Sequence, residues 1–379
     1  MRIGIEAQRI FRKKKHGMDM MAIHLIKNLQ KVDPVNQYFI FVNPDDDLSP
    51  IEPSPNFTIV LLKNSLYPIW EQIHLPKAVK KYQIDILHCT SNTAPLHLSV
   101  PLILTLHDII YLEKIDWKSG NWYQLLGNLY RRWNVPRILA KTGKILTVSK
   151  YEEKRIRSFF KLENNKIEVV YNGIGKHFRL QEKENALYNR KLHKLPDQYV
   201  LFLGNTDAKK NLKGLIAALK LLYEQDKLTL DILITDLSEN DLTAFLREQK
   251  AECIRERIVL TGYVPNSSLP IYYSNALFFL YVSLRESFGL PILEAMACGC
   301  PVITSDTSSM PEIAGGAALL VDPYNSEAIS NAMLSLLQDP SFREKMIEMG
   351  LKRPPLFSYQ TRVKRILKIY QEVYSKNHE

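Results

Sequence analysis

The sequence predicts an α/β protein built from two doubly wound domains, with a C-terminal helix packing back toward the first. Three observations carry that prediction. The 379 residues, 46% of them hydrophobic, supply two cores at roughly 150 residues per domain. Short apolar runs alternate with longer helical patterns almost throughout, and several runs are continuous, as strands buried on both faces of a parallel sheet require. A polar stretch from Gln181 to Asp197, closed by Pro196, separates two such series.

The first series reads as strands at Arg2–Ile5, Tyr38–Val42, Phe57–Leu61, Ile84–His88, Leu102–Leu106, Ile145–Val148 and Glu168–Tyr171. The second reads as Tyr199–Leu203, Leu230–Thr235, Ile258–Leu260, Phe278–Val282, Val302–Thr304 and Ala318–Val321. Helical patterns fall between strands, for example at Met20–Gln30, Asn211–Glu224 and Ser326–Leu337. Strand, helix and strand in repeated succession is βαβ architecture, and it points to two Rossmann-like sheets. The polar stretch is read as the linker, which places the domains at 1–185 and 186–355. After the Pro354-Pro355 break, Val363, Ile366, Leu367, Ile369, Tyr370 and Val373 recur at helical spacing, so 356–379 reads as a terminal helix returning to the first domain.

Composition excludes several classes. With 15 Gly and 20 Pro the chain is too poor in both for low complexity, and too apolar for disorder. The four cysteines, Cys89, Cys253, Cys298 and Cys300, form no CxxC pair and no zinc set, which fits a reducing compartment. The densest apolar run, Ala276–Val282, is far short of the ~20 residues that span a bilayer, and the opening MRIGIEAQRIF has no export leader pattern. A cytoplasmic protein is expected. Residues 1–180 hold 27 Lys and Arg against 16 Asp and Glu, a net of +11, so the overall +10 lies entirely in that half. The first domain therefore meets something anionic: a membrane surface, a phosphorylated acceptor or nucleic acid.

The stretch from Arg285 to Gly299 is the most informative. It follows the Phe278–Val282 strand, places Pro291 in the first turn of a helix and Gly299 at its C-terminal stop. The backbone of Ser287, Phe288, Gly289 and Leu290 then lies at a helix N-terminus, where N–H groups and the helix dipole receive a pyrophosphate, and Gly289 permits close approach. Glu286 and Glu294, seven residues intervening, would repel phosphate and so face hydroxyls of a sugar and a ribose. An ordinary capped helix with a solvated Glu294 is the plain alternative. Lys209 and Lys210 follow the Tyr199–Leu203 strand and precede a helix, a position suited to pyrophosphate in the crevice of a doubly wound sheet, although surface lysine pairs are common. His107-Asp108 ends the Leu102–Leu106 strand at a carboxyl edge. The loop Arg12–Asp19 is cationic with Gly17 before a helix, and its default reading is solvated charge.

Other patterns carry less. Asp45-Asp46-Asp47 contains a DxD, read as a hydrated acidic loop and not a metal site. No dinucleotide, P-loop, zincin or hydrolase-elbow motif occurs. The Trp117–Arg137 segment interleaves Trp, Tyr and Arg. A membrane-facing amphipathic helix and a packed helix lining an acceptor cleft fit it equally, and both fit better than stacking on nucleic acid.

Together these residues resemble a family. Gly262-Tyr263-Val264, the Glu286-to-Glu294 EX7E segment, Gly299-Cys300-Pro301-Val302-Ile303 and Pro311-Glu312 resemble retaining glycosyltransferases of the GT-B fold, family four. Thr147-Val148-Ser149, Tyr171-Asn172-Gly173-Ile174 and Gly204–Asn211 extend the resemblance, and the lysine segment with Thr105–Asp108 is similar to mannosyltransferase-like members. The resemblance implies that Lys209 and Lys210 hold the donor pyrophosphate, and that Glu294 binds ribose. Glu286, with the backbone from Ser287 to Leu290, would hold the transferred sugar and the phosphates. Tyr263 and Val264 would flank the base, His107 would lie by the reacting sugar, and Gly17 would approach the diphosphate. Two positions depart from the family pattern: Lys209 stands where Arg is usual, and Gly17 lacks a second small neighbour.

The expected activity is retaining, metal-independent hexosyl transfer, with mannose as one candidate sugar. It would run from a GDP- or UDP-linked donor to a hydroxyl of a glycan or lipid-linked acceptor, in the synthesis of cell-surface polysaccharide or glycoconjugate. Catalysis would fall to His107, Glu286 and Lys210, with no cofactor and no metal. Peripheral contact with anionic lipid at the inner membrane face is expected, and nucleic acid is not. A nucleotide-sugar epimerase, or a non-catalytic nucleotide-sugar or nucleic-acid binding protein, are the alternatives.

Overall fold

The computed structural model describes residues 1–377 apart from Lys14, His16, Leu48, Ser49, Ser65, 114–121 and Asn164. The chain forms two compact units, Met1–Gly173 with Tyr359–Glu379, and Ile174–Ser358.

Among the described residues the first unit holds seven strands: β1 (Arg2–Glu6), β2 (Gln37–Val42), β3 (Phe57–Leu61), β4 (Ile86–Cys89), β5 (Leu102–Thr105), β6 (Lys144–Thr147) and β7 (Ile167–Val169). All pairings are parallel, in the order β3-β2-β1-β4-β5-β6-β7. Successive side chains point to opposite faces, and both faces are covered. Ile3, Ile5, Tyr38 and Ile40 pack with Ile23, Ile26 and Leu29 of the helix Gly17–Val32. Phe39, Phe41, Leu87 and Leu104 pack on the other side with Trp70, Val79, Val135 and Ile138. That double burial is why these strands read as continuous apolar runs.

The terminal helix Tyr359–Ser375 belongs to this unit and adds Val363, Ile366, Ile369, Tyr370 and Val373 to the first of those two layers. Polar contacts seat it. The Tyr370 hydroxyl lies 2.7 Å from His88 Nδ1 on β4, and Arg362 donates to Asn172 Oδ1 at 2.8 Å. A Cβ at Gly173 would come within 2.5 Å of the Tyr359 ring, so only glycine fits where the helix returns.

The second unit holds six described strands: β8 (Tyr199–Leu203), β9 (Asp231–Thr235), β10 (Ile258–Gly262), β11 (Phe278–Tyr281), β12 (Val302–Ser305) and β13 (Leu319–Val321). They are again parallel, in the order β10-β9-β8-β11-β12-β13. Val200, Phe202, Ile232, Ile234 and Leu280 form the core with Leu215, Ile216 and Leu219 of the helix Leu212–Glu224. The order reverses between β8 and β11. Chain leaving the carboxyl ends of these neighbouring strands therefore flanks one crevice, the usual ligand position in such sheets.

The polar stretch read as a linker is different in the structure. Lys183–Leu192 is a helix that packs on the helix Leu269–Asn275, and the His193 ring meets Tyr272 edge-on with centroids 6.0 Å apart. The units divide between Gly173 and Ile174, ahead of the 185/186 boundary, because this helix spends its contacts on the second unit.

Candidate active site

In the second unit, the loop after β8 and the loop after β11 build the site. Asp207 accepts a hydrogen bond from the Lys209 N–H at 3.0 Å, turning the chain into the short helix Ala208–Lys210. Asn211 then adopts φ +61°, a left-handed conformation that asparagine tolerates. Its amide donates to the carbonyls of Val282 at 3.0 Å and Pro323 at 2.7 Å, and its oxygen accepts from Gly214 N at 3.1 Å. The Lys209 carbonyl accepts from Leu284 N at 2.8 Å, which ties the two loops together. This is local folding dictated by one residue: asparagine caps the next helix and pins the loop in the same step.

Those ties bring Lys210 and Glu286 together. The Lys210 ammonium lies 2.8 Å from Glu286 Oε1, 3.4 Å from the Tyr281 hydroxyl and 5.1 Å from the centroid of the Tyr281 ring. Burial alone would raise the Glu286 carboxyl, but the charge and hydrogen bond of Lys210, with Lys209 and the Tyr281 hydroxyl, together outweigh it and hold Glu286 below its ordinary value, ionised. Lys209 is half-exposed, with Asp207 at 3.4 Å.

The turn that follows Glu286 is held from behind by hydroxyls. Ser309, fully buried, donates from one Oγ toward the carbonyls of Glu286 at 2.9 Å and Phe288 at 2.8 Å. Ser308 Oγ accepts from Glu286 N at 3.1 Å. Gly289 takes φ +101° and caps the helix Leu290–Ala297, offering no side chain to its first turn. With the carbonyls of the turn engaged from behind, the helix start presents the positive end of its dipole at the crevice. Gly299 sits at φ +74° just beyond the helix, the C-terminal stop expected of it.

Glu294, in that helix, is 8% exposed. Burial pushes its carboxyl up to about 7, and the Tyr273 hydroxyl at 3.3 Å and Asn266 offset the penalty only in part. It is a carboxyl poised to gain from hydroxyl partners. Tyr263 is strongly exposed at the end of β10, followed by Val264.

Two expected site residues belong to the first unit. His107 follows β5, is buried, and places Nε2 2.9 Å from the Thr90 carbonyl, while its N–H donates to Asn92 Oδ1 at 2.7 Å. Burial lowers its pKa, and the Thr90 carbonyl opposes that only partly, so the ring is neutral. Gly17 opens the helix Gly17–Val32, and a Cβ there would meet nothing within 4 Å. In the same loop Lys14 and His16 lie outside the described residues, and Lys15 pairs with Asp47. That pairing accounts for part of the acidic Asp45–Asp47 run, and among the described residues no three His, Cys, Asp or Glu side chains gather as metal ligands. Of the Trp117–Arg137 segment, Trp117–Asn121 lie outside the described residues and the remainder falls in the helix Trp122–Lys141.

Sequence reasoning missed Tyr281, Ser308 and Ser309. The hydroxyl pair immediately before the Met310-Pro311 helix start was a legible signal of a structured turn.

Comparison with known proteins agrees across both units. Residues 16–176 match the family described as Glycosyltransferase Family 4, and residues 184–353 match Glycosyl transferases group 1. The O-antigen chain mannosyltransferase B of Escherichia coli is 33% identical over 298 residues, 78% of this chain and 76% of that protein. The O-antigen chain mannosyltransferase RfbU of Salmonella typhimurium is 26% identical over 73% of this chain and 70% of its own length. The crystal structure of Anabaena Alr3699/HepE in complex with UDP superposes with a TM-score of 0.74 at 16% identity, covering 98% of this chain and all of that one. Such a match shows the fold, two Rossmann-like domains of GT-B type. With both units matched and a relative of this identity spanning most of each chain, the protein is a member of glycosyltransferase family 4.

Proposed function

We propose that the protein transfers mannose from a GDP- or UDP-linked donor to a hydroxyl of a glycan or lipid-linked acceptor during synthesis of a cell-surface polysaccharide, retaining the anomeric configuration and needing no metal. The observation that carries the reading is the pairing of Lys210 with Glu286 at the point where the strand order of the second sheet reverses. A cation and a helix N-terminus there suit a departing diphosphate, and an ionised carboxylate beside them suits the hydroxyls of the sugar. The names of the two mannosyltransferase relatives support mannose and an O-antigen-like product, and the nucleotide-bound neighbour supports a nucleotide donor.

In this reading Lys210 and Lys209 stabilise the negative charge that develops on the leaving diphosphate. Glu286 orients the transferred sugar, Glu294 accepts from the ribose, and Tyr263 with Val264 flanks the base. Gly17 approaches the diphosphate, and neutral His107 contacts the reacting sugar. Departure and attack take place on the same face, and the leaving phosphate takes the acceptor proton. The first unit receives the acceptor and touches anionic lipid: Leu126, Leu129 and Trp133 are exposed along one face of the helix Trp122–Lys141, with Ile69 and Ile73 exposed nearby in sequence to the Gln72 that bonds Tyr130.

Incubation with GDP-mannose or UDP-sugars and a polysaccharide or lipid-linked acceptor tests this. Acceptor-dependent release of nucleotide diphosphate, with an α-linked product from an α-linked donor by proton NMR, is expected. Inversion of the linkage, or no release with any donor, overturns it.

A further inference from the structure

The carboxyl edge of the first sheet carries two guanidinium groups that the chemistry above does not use. Arg9 follows β1, and its guanidinium carbon lies 5.1 Å from the centroid of the Tyr67 ring. Arg131 lies in the helix Trp122–Lys141, 6.0 Å from the centroid of Tyr111, and donates to Asn128 Oδ1 at 3.1 Å. Arg131 is near enough to feel the charges of Arg9 and of Tyr67, and Tyr67 also contacts Tyr130 edge-on with ring centroids 5.9 Å apart.

Neither arginine has a carboxylate within salt-bridge distance among the described residues. Tyr67 and Tyr130 both donate to Glu71, so that buried carboxylate is already satisfied by hydroxyls. Burial and the nearby Arg9 charge together depress the Arg131 guanidinium, with Asp108 and the tyrosines opposing. Two polar atoms here are buried with no partner: Arg9 Nε and the hydroxyl of Tyr111, a residue 8% exposed. Glu6, buried near Arg9, and Asp108, near Arg131, supply some opposing charge, but unpaired polar groups are costly inside a protein and an oxyanion would relieve them. Planar guanidinium groups suit phosphate by paired N–H donors, and ligands of such sheets bind at the carboxyl edge.

We propose that Arg9 and Arg131, with Tyr67 and Tyr111, form a subsite for a phosphate ester carried by the acceptor. The inference rests on the first unit being the acceptor side. Two cations favour a dianionic phosphate over a singly charged sugar carboxylate, so phosphate is the occupant assigned.

The test is titration of the full chain with inorganic phosphate, followed by phosphorus NMR or calorimetry, with glucuronate as the second arm. A Lys209→Gln/Lys210→Met background silences the cations of the diphosphate site in the other unit. Phosphate binding is expected to survive that change and to weaken by at least roughly tenfold in Arg9→Gln/Arg131→Gln, the effect of losing charged hydrogen bonds. Donor affinity in the absence of acceptor is expected to stay at the wild-type value in the double arginine variant. Tyr111→Phe, which keeps the ring, is expected to weaken phosphate severalfold and to raise thermal stability when phosphate is absent. Unchanged phosphate binding in the double variant, tighter glucuronate binding, or loss of donor binding together with phosphate binding overturns the assignment. Absence of acceptor-dependent nucleotide diphosphate release in the wild type instead counts against the transferase reading, while the phosphate titration still decides the subsite.

Discussion

Replacing Glu294 by Gln separates what this residue does for folding from what it does for the donor. Its carboxyl stands at about 7 in the folded protein against an ordinary value of 4.5. At about 1.4 kcal/mol per tenfold in proton affinity, ionising it in place costs the fold about 3 kcal/mol. Because the folded state holds its proton more tightly, stability falls as pH rises from about 4.5 to 7; the full penalty is present above 7 and absent below about 4.5. Glu294→Gln removes the charge and keeps the shape. At pH 8 it should be more stable by about 3 kcal/mol, raising the melting temperature of the second unit by roughly 6–12 °C, while at pH 5 the gain should shrink below about 1 kcal/mol. Donor binding should move the other way. If ribose hydroxyls need the ionised carboxylate, wild-type affinity should be roughly tenfold weaker at pH 6 than at pH 8, and the Gln variant should be weak and flat. Scanning calorimetry and donor titration at the three pH values read both effects. A variant that is destabilised equally at pH 5 and pH 8, or whose donor affinity still climbs tenfold with pH, refutes the reasoning.

Glu286→Ala should depress turnover more than donor affinity, and Lys210→Met should cost the second unit about 3 kcal/mol by stranding Glu286, a loss recovered when Glu286→Gln is added; steady-state kinetics and urea melts check both. Activity should survive EDTA, and Asp45, Asp46 and Asp47 changed together to Asn should retain near wild-type rates; a complete loss with chelator, restored by Mn²⁺, would reverse that expectation. Sedimentation with vesicles should show binding to anionic and not neutral lipid at low salt, falling steeply as salt rises, because exposed charges are screened beyond roughly 8–10 Å at physiological ionic strength; equal, negligible pelleting in every condition would exclude lipid contact.

The strands were readable because burial on both faces leaves few polar positions inside them; Tyr199–Leu203 has the same limits in sequence and structure. The EX7E turn was readable too, since Pro291 and Gly299 mark both ends of its helix. What could not be read is pairing at a distance. Lys210 and Glu286 are each placed at the donor by the sequence, but their ion pair shows only once β8 and β11 lie side by side. The helix Lys183–Leu192 escaped for the opposite reason: its exposed Leu187 and Leu192 and its polar neighbours carry no buried apolar stripe, so only its contact with Leu269–Asn275 reveals it. Ser309 escaped because a hydroxyl bridging two carbonyls has no periodicity to detect.

The return of Tyr359–Ser375 to the first sheet has a consequence for synthesis of the chain. Every residue of the second unit is contiguous, so it can close as soon as it leaves the ribosome. The first unit begins before it and is completed after it. Until Tyr359–Ser375 emerges, one layer of its core is uncovered, with Ile3, Ile5 and Ile40 lacking their cover from Ile366 and Ile369, and His88 lacking its Tyr370 partner. A stop ahead of Tyr359–Ser375 therefore damages the earlier-made unit, and a nascent chain stalled there displays a sticky face on that unit rather than on the second.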